Sequence, residues 1–496
     1  MIRGVHLLPF YPYSSDDGFS VIDYREVAPH LGTWDDVARI GRGFRLMFDA
    51  VVNHISRRSD WFQAFLRGDR RYADYFIVVD PEADLSQVVR PRALPLLTPV
   101  ETTQGRRYLW TTFSDDQIDL NYAHPQVLLE TLDLLLYYVE RGAQVIRLDA
   151  VAYLWKEIGT PCIHLPQTHR LVKLFRAVLD AAAPGVLLIT ETNVPHEENV
   201  SYFGDGTDEA QMVYQFPLAP LVLHTFHSGS ARALSQWAAG LRTPAPAATF
   251  LNLIASHDGI GVRPAQGLLT EAEIVALVAR TRAHRGQVTY RANLDGSRSV
   301  YELNTSLYDA LNDPGAPQPE VDIQRFLASQ AIMLCLAGVP AIYLHSLLGS
   351  RNCHGCVAET GRARSINREK LDRAALEAEL SDPDSIRHRV FRGYLHLLRQ
   401  RQDHPAFHPS GGQRVLYLHD GVFALARSAP DGQETVLCLV NVTPRPQAVR
   451  VELACEGLPS TAWHDLIGAG TRLPPNRVLS VPLQGYQSLW LVAESS

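Results

Sequence analysis

Short apolar runs and longer amphipathic stretches alternate along most of the chain. Seven runs read as buried strands: residues 2–9, 45–52, 143–149, 186–191, 211–216, 249–256 and 341–344. Helical patterns lie between them. Pro125–Glu140 is the clearest, with Pro in its first turn, Leu and Val at helical spacing, and Gly142 just past its end. Strand, helix, strand in that order predicts βα units around a parallel sheet, an α/β fold of the TIM (β/α)8 barrel type with one strand uncounted. Two stretches interrupt the rhythm. Residues 56–108 are mixed in character and too long for a loop, which predicts a small inserted domain B. Residues 259–302, rich in Gly, Arg and Asn, form a second insertion. From residue 411 to 496 the period shifts to two, as in Val415-Leu416-Tyr417-Leu418, which predicts an appended all-β, sandwich-like domain. The barrel is left with residues 1–55 and 109–410.

Composition narrows the class. With 496 residues, 46% of them hydrophobic and 20% charged, the chain can bury a large core without a metal or disulfide staple. A net charge of −7 argues against nucleic acid as a partner. Six cysteines do not make a disulfide framework. Only Cys353-His354-Gly355-Cys356 brings two together. No second pair stands at zinc-finger spacing and no His follows as in a haem site, so reduced, non-functional thiols are expected. The start lacks a signal-peptide h-region. The longest apolar run, 331–344, is broken by Gly338 and Pro340 and is too short to cross a bilayer. No membrane partner and a cytoplasmic location are expected. Oligomeric state does not follow from the sequence.

Chemistry concentrates where strands end. In a (β/α)8 barrel, polar residues at the C-terminal ends of strands face the catalytic mouth. Three runs end in, or run into, a carboxylate: Arg147-Leu148-Asp149, Thr190-Glu191 and Ser256-His257-Asp258. Side chains two apart on a strand share a face, so Arg147 lies beside Asp149 and favours its ionised form. Retaining glycosyl transfer needs one carboxylate to attack the anomeric carbon and another to protonate the leaving oxygen. A third anion near the oxocarbenium-like transition state stabilises it and raises the acid's pKa.

These segments, with Asp49-Ala50-Val51-Val52-Asn53-His54 upstream, resemble the four signature regions of the α-amylase superfamily (glycoside hydrolase family 13). The resemblance makes Asp149 the nucleophile, Glu191 the general acid/base and Asp258 the transition-state stabiliser. Within the superfamily the chain is most similar to the sucrose phosphorylase subfamily. Ser14-Ser15-Asp16-Asp17-Gly18-Phe19 resembles the loop whose Asp, here Asp16, holds the O4 edge of glucose. Gly361-Arg362-Ala363-Arg364-Ser365-Ile366-Asn367-Arg368 resembles the loop carrying its Arg partner, taken as Arg364. Together they would close the pocket behind a single glucosyl unit. Phe113 and Gln117 match the glucose platform and its companion. Arg147, Tyr153, His54, His224 and His257 fall at matched subsite positions.

A phosphorylase must bring an anion to a site already rich in carboxylates, which requires compensating cations. Arg90-Pro91-Arg92 matches the subfamily's phosphate-binding segment, with Arg92 as the binding residue. Arg291 and Arg298, in the basic stretch 287–298, suit an anionic acceptor. That stretch, with 162–169 and 191–196, looks more like glucosylglycerate phosphorylases than like sucrose phosphorylases proper. The resemblance thus implies a hexosyltransferase that converts an α-glucoside, 2-O-α-glucosylglycerate, and phosphate into α-glucose 1-phosphate. The alternatives are a sucrose or sucrose 6-phosphate phosphorylase, an amylosucrase-like or α-glucosidase-like enzyme, and an inactive relative. Asn53 resembles a calcium ligand of amylases, but the subfamily generally does without calcium, so no metal or cofactor is expected. Family members carry another βα unit before the one at 2–9. That first unit is therefore expected to be missing, either through a start upstream of residue 1 or through truncation.

Overall fold

The computed structural model describes residues 2–494 apart from 93, 294, 469 and 471. Seven parallel strands stand in chain order in one sheet: Gly4–Leu7, Arg45–Ala50, Ala143–Leu148, Leu187–Thr190, Met212–Tyr214, Thr249–Asn252 and Val339–Pro340. The register pairs Ala50 with Leu148 and Leu148 with Thr190, so the strand ends that precede Asp149 and Glu191 lie level with each other. Among the described residues no pairing joins Val339–Pro340 back to Gly4–Leu7. Helices such as Pro125–Glu140 cover the sheet. That helix starts and stops where its sequence pattern places it, and buries Val127, Thr131, Leu134, Leu135 and Tyr138 along one stripe.

Two strands differ from the sequence reading. The run 249–256 stops being a strand after Asn252, whose side-chain amide donates to the Ala337 carbonyl at 3.0 Å. The run 341–344 is not a strand. The ladder instead takes Val339 and Pro340, and a helical turn begins at Leu344. The Ala341 N–H still donates to the Asn252 carbonyl at 2.8 Å, and Pro340, with no N–H, offers nothing to the open side of the sheet.

The segment 56–108 contains the helix Asp60–Leu66 and all but the last two residues of the hairpin Leu97–Thr102/Gly105–Trp110. The segment 259–302 contributes to a three-stranded antiparallel sheet, in the order Ile260–Gly261, Arg298–Asn304, Gln287–Ala292. A helix, Glu271–Ala283, interrupts it. Thr270 and Glu273 cap its first turn reciprocally, with the Thr270 N–H donating to Glu273 Oε2 at 2.7 Å.

The tail forms a six-stranded antiparallel sheet faced by the pair Gln447–Glu452/Val478–Leu483. Period two sorts its residues. Val436, Cys438 and Val440 enter the core shared with the helices Pro319–Cys335 and Ile386–Asp403, while Leu437 and Leu439 face the two-stranded pair. The buried Arg427 guanidinium donates to the carbonyls of Cys335 (2.9 Å) and His408 (2.7 Å), so the β unit is bonded as well as packed against the helices.

The thiols expected to be reduced are not all free: Cys353 and Cys356 form a disulfide. The helix His354–Thr360 begins between them and brings their Cα atoms to 5.3 Å. Cys162, Cys335 and Cys438 are buried free thiols, and Cys455 is exposed. Among the described residues no helix is long and apolar enough to cross a membrane.

Candidate active site

A pocket of about 610 Å³, counting its open mouth, lies at the C-terminal ends of the parallel strands. Asp149 and Glu191 enter it one residue beyond their strands. Asp258 arrives from the loop after Asn252 rather than from a strand end. Asp16, His54, Arg92, Phe113, Gln117, Tyr153, His257 and Arg364 complete the predicted residues that line it.

Arg147 organises the floor. Its side chain is 1% exposed. Its Nη1 donates to Asp49 and, at 2.7 Å, to Asp149, its Nε donates to the Tyr214 hydroxyl at 3.1 Å, and its Nη2 lies 3.7 Å from Glu191. Asp49 also receives His6 Nε2 at 2.7 Å. Burial would raise the Asp49 carboxyl, but Arg147 and His6 outweigh it and hold it down at about 2. Burial raises both Asp149 and Glu191 against the pull of Arg147. Arg147 is closer to Asp149, so the proton that the two carboxyls compete for rests on Glu191. Burial and the nearby Asp149 and Asp258 charges push Glu191 up to about 7. The Ala150 N–H, on a residue with φ +49°, donates to Glu191 Oε2 at 3.2 Å and fixes the acid over the nucleophile. One ionised carboxylate beside one protonated carboxyl is the arrangement a retaining double displacement needs.

Asp258 behaves oppositely. Burial would raise it, but the Arg364 and Arg368 guanidinium groups drive it far below the usual carboxylate range. Burial also pushes the neighbouring His257 down to about 3, so its ring is neutral. That ring stacks on Phe19 at 4.8 Å. The Phe19 carbonyl accepts from His54 Nε2 (2.8 Å) and from Gln117 Nε2 (2.9 Å), which sets both side chains at the pocket wall. Phe113 packs edge-on against Tyr153 at 5.6 Å, giving an apolar wall beside the carboxylates.

The Asp16 loop turns through left-handed backbone at Asp16 and Asp17, with φ +55° and +50°. At Gly18, φ +114°, a Cβ would stand 2.4 Å from the Pro9 carbonyl oxygen, so only glycine lets the loop pass there. The expected Asp16–Arg364 pair is corrected. Arg368 is the arginine near Asp16 (3.6 Å), and it also bonds Asp17 (2.9 Å) and the His257 carbonyl (2.7 Å). Arg364 instead grips Glu302 with two nitrogens and Asp258 with a third. Glu302, fully buried, lies on Arg298–Asn304, and its charge holds Arg364 toward its own strand. Arg368 is thus the site residue that the sequence reading missed. It was visible as the second basic residue of the same Arg364-Ser365-Ile366-Asn367-Arg368 stretch.

Two further expectations fail. His224 lies on the helix Leu218–Ser228 with Nε2 3.3 Å from Glu273 and does not line the pocket. Arg298 is exposed. The hairpin register pairs Arg291 with Ser299 and Ala292 with Arg298, so the two arginines point to opposite faces. Arg291 is half-buried and donates from Nε to Ser299 at 3.0 Å. Arg92 lies over the Tyr301 ring at 5.9 Å, with a buried Nε that has no partner among the described residues.

The amylase-like calcium position fits no divalent ion. Asn53 Oδ1 accepts from Lys156 Nζ at 2.8 Å, and Asp119 Oδ2 lies 2.7 Å from the same nitrogen. Lys156 is 2% exposed, and its ammonium already occupies both oxygens.

Residues 1–257 match the family description "Alpha amylase, catalytic domain". The chain is similar to the glucosylglycerate phosphorylase of Allomeiothermus silvanus, with 55% identity over 90% of this chain and 80% of that one. It is also similar to that of Escherichia coli, with 46% identity over 96% and 85%. Among solved structures, the sucrose 6F-phosphate phosphorylase from Thermoanaerobacter thermosaccharolyticum superimposes with a TM-score of 0.76 at 27% identity, covering 88% of each chain. This chain thus belongs to the α-amylase family.

Proposed function

We propose that the chain is a retaining α-glucoside phosphorylase that converts 2-O-α-glucosylglycerate and phosphate into α-D-glucose 1-phosphate and glycerate. The observation that carries this reading is a contrast across one pocket. Asp16 lines it with the Arg368 guanidinium 3.6 Å away, whereas Arg92, which also lines it, has no carboxylate partner among the described residues. The identity to relatives named glucosylglycerate phosphorylases supports the acceptor.

Asp149 attacks the anomeric carbon while Glu191, which holds the proton, delivers it to the glycosidic oxygen. Glycerate leaves and glucose remains on Asp149. Phosphate, held by Arg92, then attacks from the face that glycerate vacated, and Glu191 takes a proton from it. Asp258 stays anionic through both steps and stabilises the positive charge that develops on the ring. Arg147 keeps Asp149 ionised and positioned. No metal enters the scheme, since Lys156 holds the Asn53–Asp119 corner.

The test is phosphate release from α-glucose 1-phosphate with D-glycerate, fructose, fructose 6-phosphate, glycerol or water in parallel. Release with D-glycerate well above the others is expected. Release in water alone would make the chain a hydrolase, and release with fructose 6-phosphate alone would move it beside the sucrose 6F-phosphate phosphorylase.

A further inference from the structure

We propose that Arg263, working with Arg291, is the carboxylate-binding and specificity-determining residue of the acceptor site. The inference rests on the reading that the acceptor is glycerate. Arg263 follows the strand Ile260–Gly261, five residues after Asp258. The backbone there is pinned to the pocket wall on two sides. The Val262 N–H donates to the carbonyl of pocket-lining Tyr301 at 3.2 Å, and Gly261 lies so close to Asn193 that a Cβ would stand 2.4 Å from its Oδ1. Asn193 also lines the pocket, and its Oδ1 is buried without a partner.

From this position Arg263 acts on Tyr153. The Tyr153 hydroxyl feels the positive fields of Arg263 and Arg291 together with the negative fields of Glu191 and Glu198. Arg291 is tied to the same wall by geometry, since its Nε donates at 3.0 Å to Ser299 on the strand that carries pocket-lining Tyr301, although neither arginine itself lines the pocket. Neither is saturated. Among the described residues Arg291 has only the Ser299 hydroxyl. Arg263 has a single 3.3 Å contact to Glu198, whose side chain is 41% exposed. That contact is one nitrogen to one oxygen, whereas an arginine fork meets a carboxylate best through two parallel bonds.

Glu198 does not depend on Arg263. It also accepts from His164 Nε2 at 3.1 Å, and His164 Nδ1 meets the Tyr202 hydroxyl at 2.9 Å. Burial and the Arg263 charge push His164 down to about 4, so it stays a neutral donor. If Arg263 turns toward the pocket, Glu198 keeps a partner, and a second carboxylate is received where two like charges now repel. A neutral acceptor gains nothing from that relief. The arrangement therefore selects α-hydroxy acids such as glycerate over glycerol, a molecule of the same length without the charge.

Arg263→Gln, Arg263→Lys and Arg298→Gln, the last an exposed arginine of the same region, are assayed with α-glucose 1-phosphate and either D-glycerate or glycerol. Arg263→Gln is expected to lower kcat/KM for D-glycerate by about 10–100-fold, through KM, and to leave the glycerol reaction and the KM for α-glucose 1-phosphate within about twofold. Arg263→Lys should recover part of the loss, and Arg298→Gln should change nothing. Equal losses for both acceptors, or none for either, would overturn the assignment of Arg263 while leaving the phosphorylase reading intact. A wild-type chain that prefers glycerol to D-glycerate would overturn both.

Discussion

The two ends of the pocket hold their cations differently. At the glucose end Arg147, Arg364 and Arg368 each bond at least two carboxylates or carbonyls, and their side chains are at most 16% exposed. At the acceptor end, among the described residues, Arg92 and Arg291 have no carboxylate partner and Arg263 has one loose contact. A neutral sugar needs fixed polar groups in a settled geometry, so its cations can be spent on the protein's own anions. An anion that arrives and leaves twice per turnover needs cations that are still free. The same residue type is thus tied to the protein's own anions at one end and left largely without them at the other.

The largest break in this contrast comes from its centre. Asp149→Asn removes the attacking oxygen, and kcat is expected to fall by a factor on the order of 10⁴ or more, read as phosphate release from α-glucose 1-phosphate. Glu191→Gln comes next, with a loss of about 10²–10⁴-fold for glucosylglycerate phosphorolysis. Its signature is the pH profile. Glu191 must carry its proton to release glycerate and loses it at about 7, so wild-type phosphorolysis should decline as pH rises through that value. The variant should lack that limb and should keep much of its rate on an activated donor such as α-glucosyl fluoride, which needs no acid.

Arg364→Ala tests whether the glucose-end cations are structural. It leaves Glu302 buried with no close cation and Asp258 with less support. A loss of about 3–5 kcal/mol in urea unfolding is expected, against under about 1 kcal/mol for Arg291→Ala at the other end. The smallest effect concerns acid stability. Asp49 is held at about 2 in the folded chain against a usual carboxylate value near 4, so its stabilisation is full above about pH 4 and is lost as pH falls through 2. Asp49→Asn should remove about 2 kcal/mol of that pH dependence, measured as the shift of the acid-unfolding midpoint.

The same division explains what the sequence made legible. Asp149 and Glu191 were readable because each ends an apolar run, and such a run fixes a strand end with little help from the rest of the fold. Residues whose place depends on distant partners were harder to read. Arg364 and Arg368 are four apart on one loop, and either could meet Asp16. Glu302, sixty-two positions upstream of Arg364, decides the matter by drawing Arg364 away. His224 matched a subsite position but lies on a helix that turns it toward Glu273. Arg298 shared a basic stretch with Arg291 and lost its place to the alternation of a hairpin. Local periodicity carried the strand ends before Asp149 and Glu191 but misplaced those of 249–256 and 341–344, and the pairing of charges is set by contacts that no local window contains.

Lys156 adds a consequence in time rather than in energy. Asn53 and Asp119 come early in the chain, and the cation that joins them is itself a later residue. A dissolved ion could bind that corner as soon as both donors had been synthesised. A tethered ammonium cannot, so the corner can be completed only after residue 156 has been made.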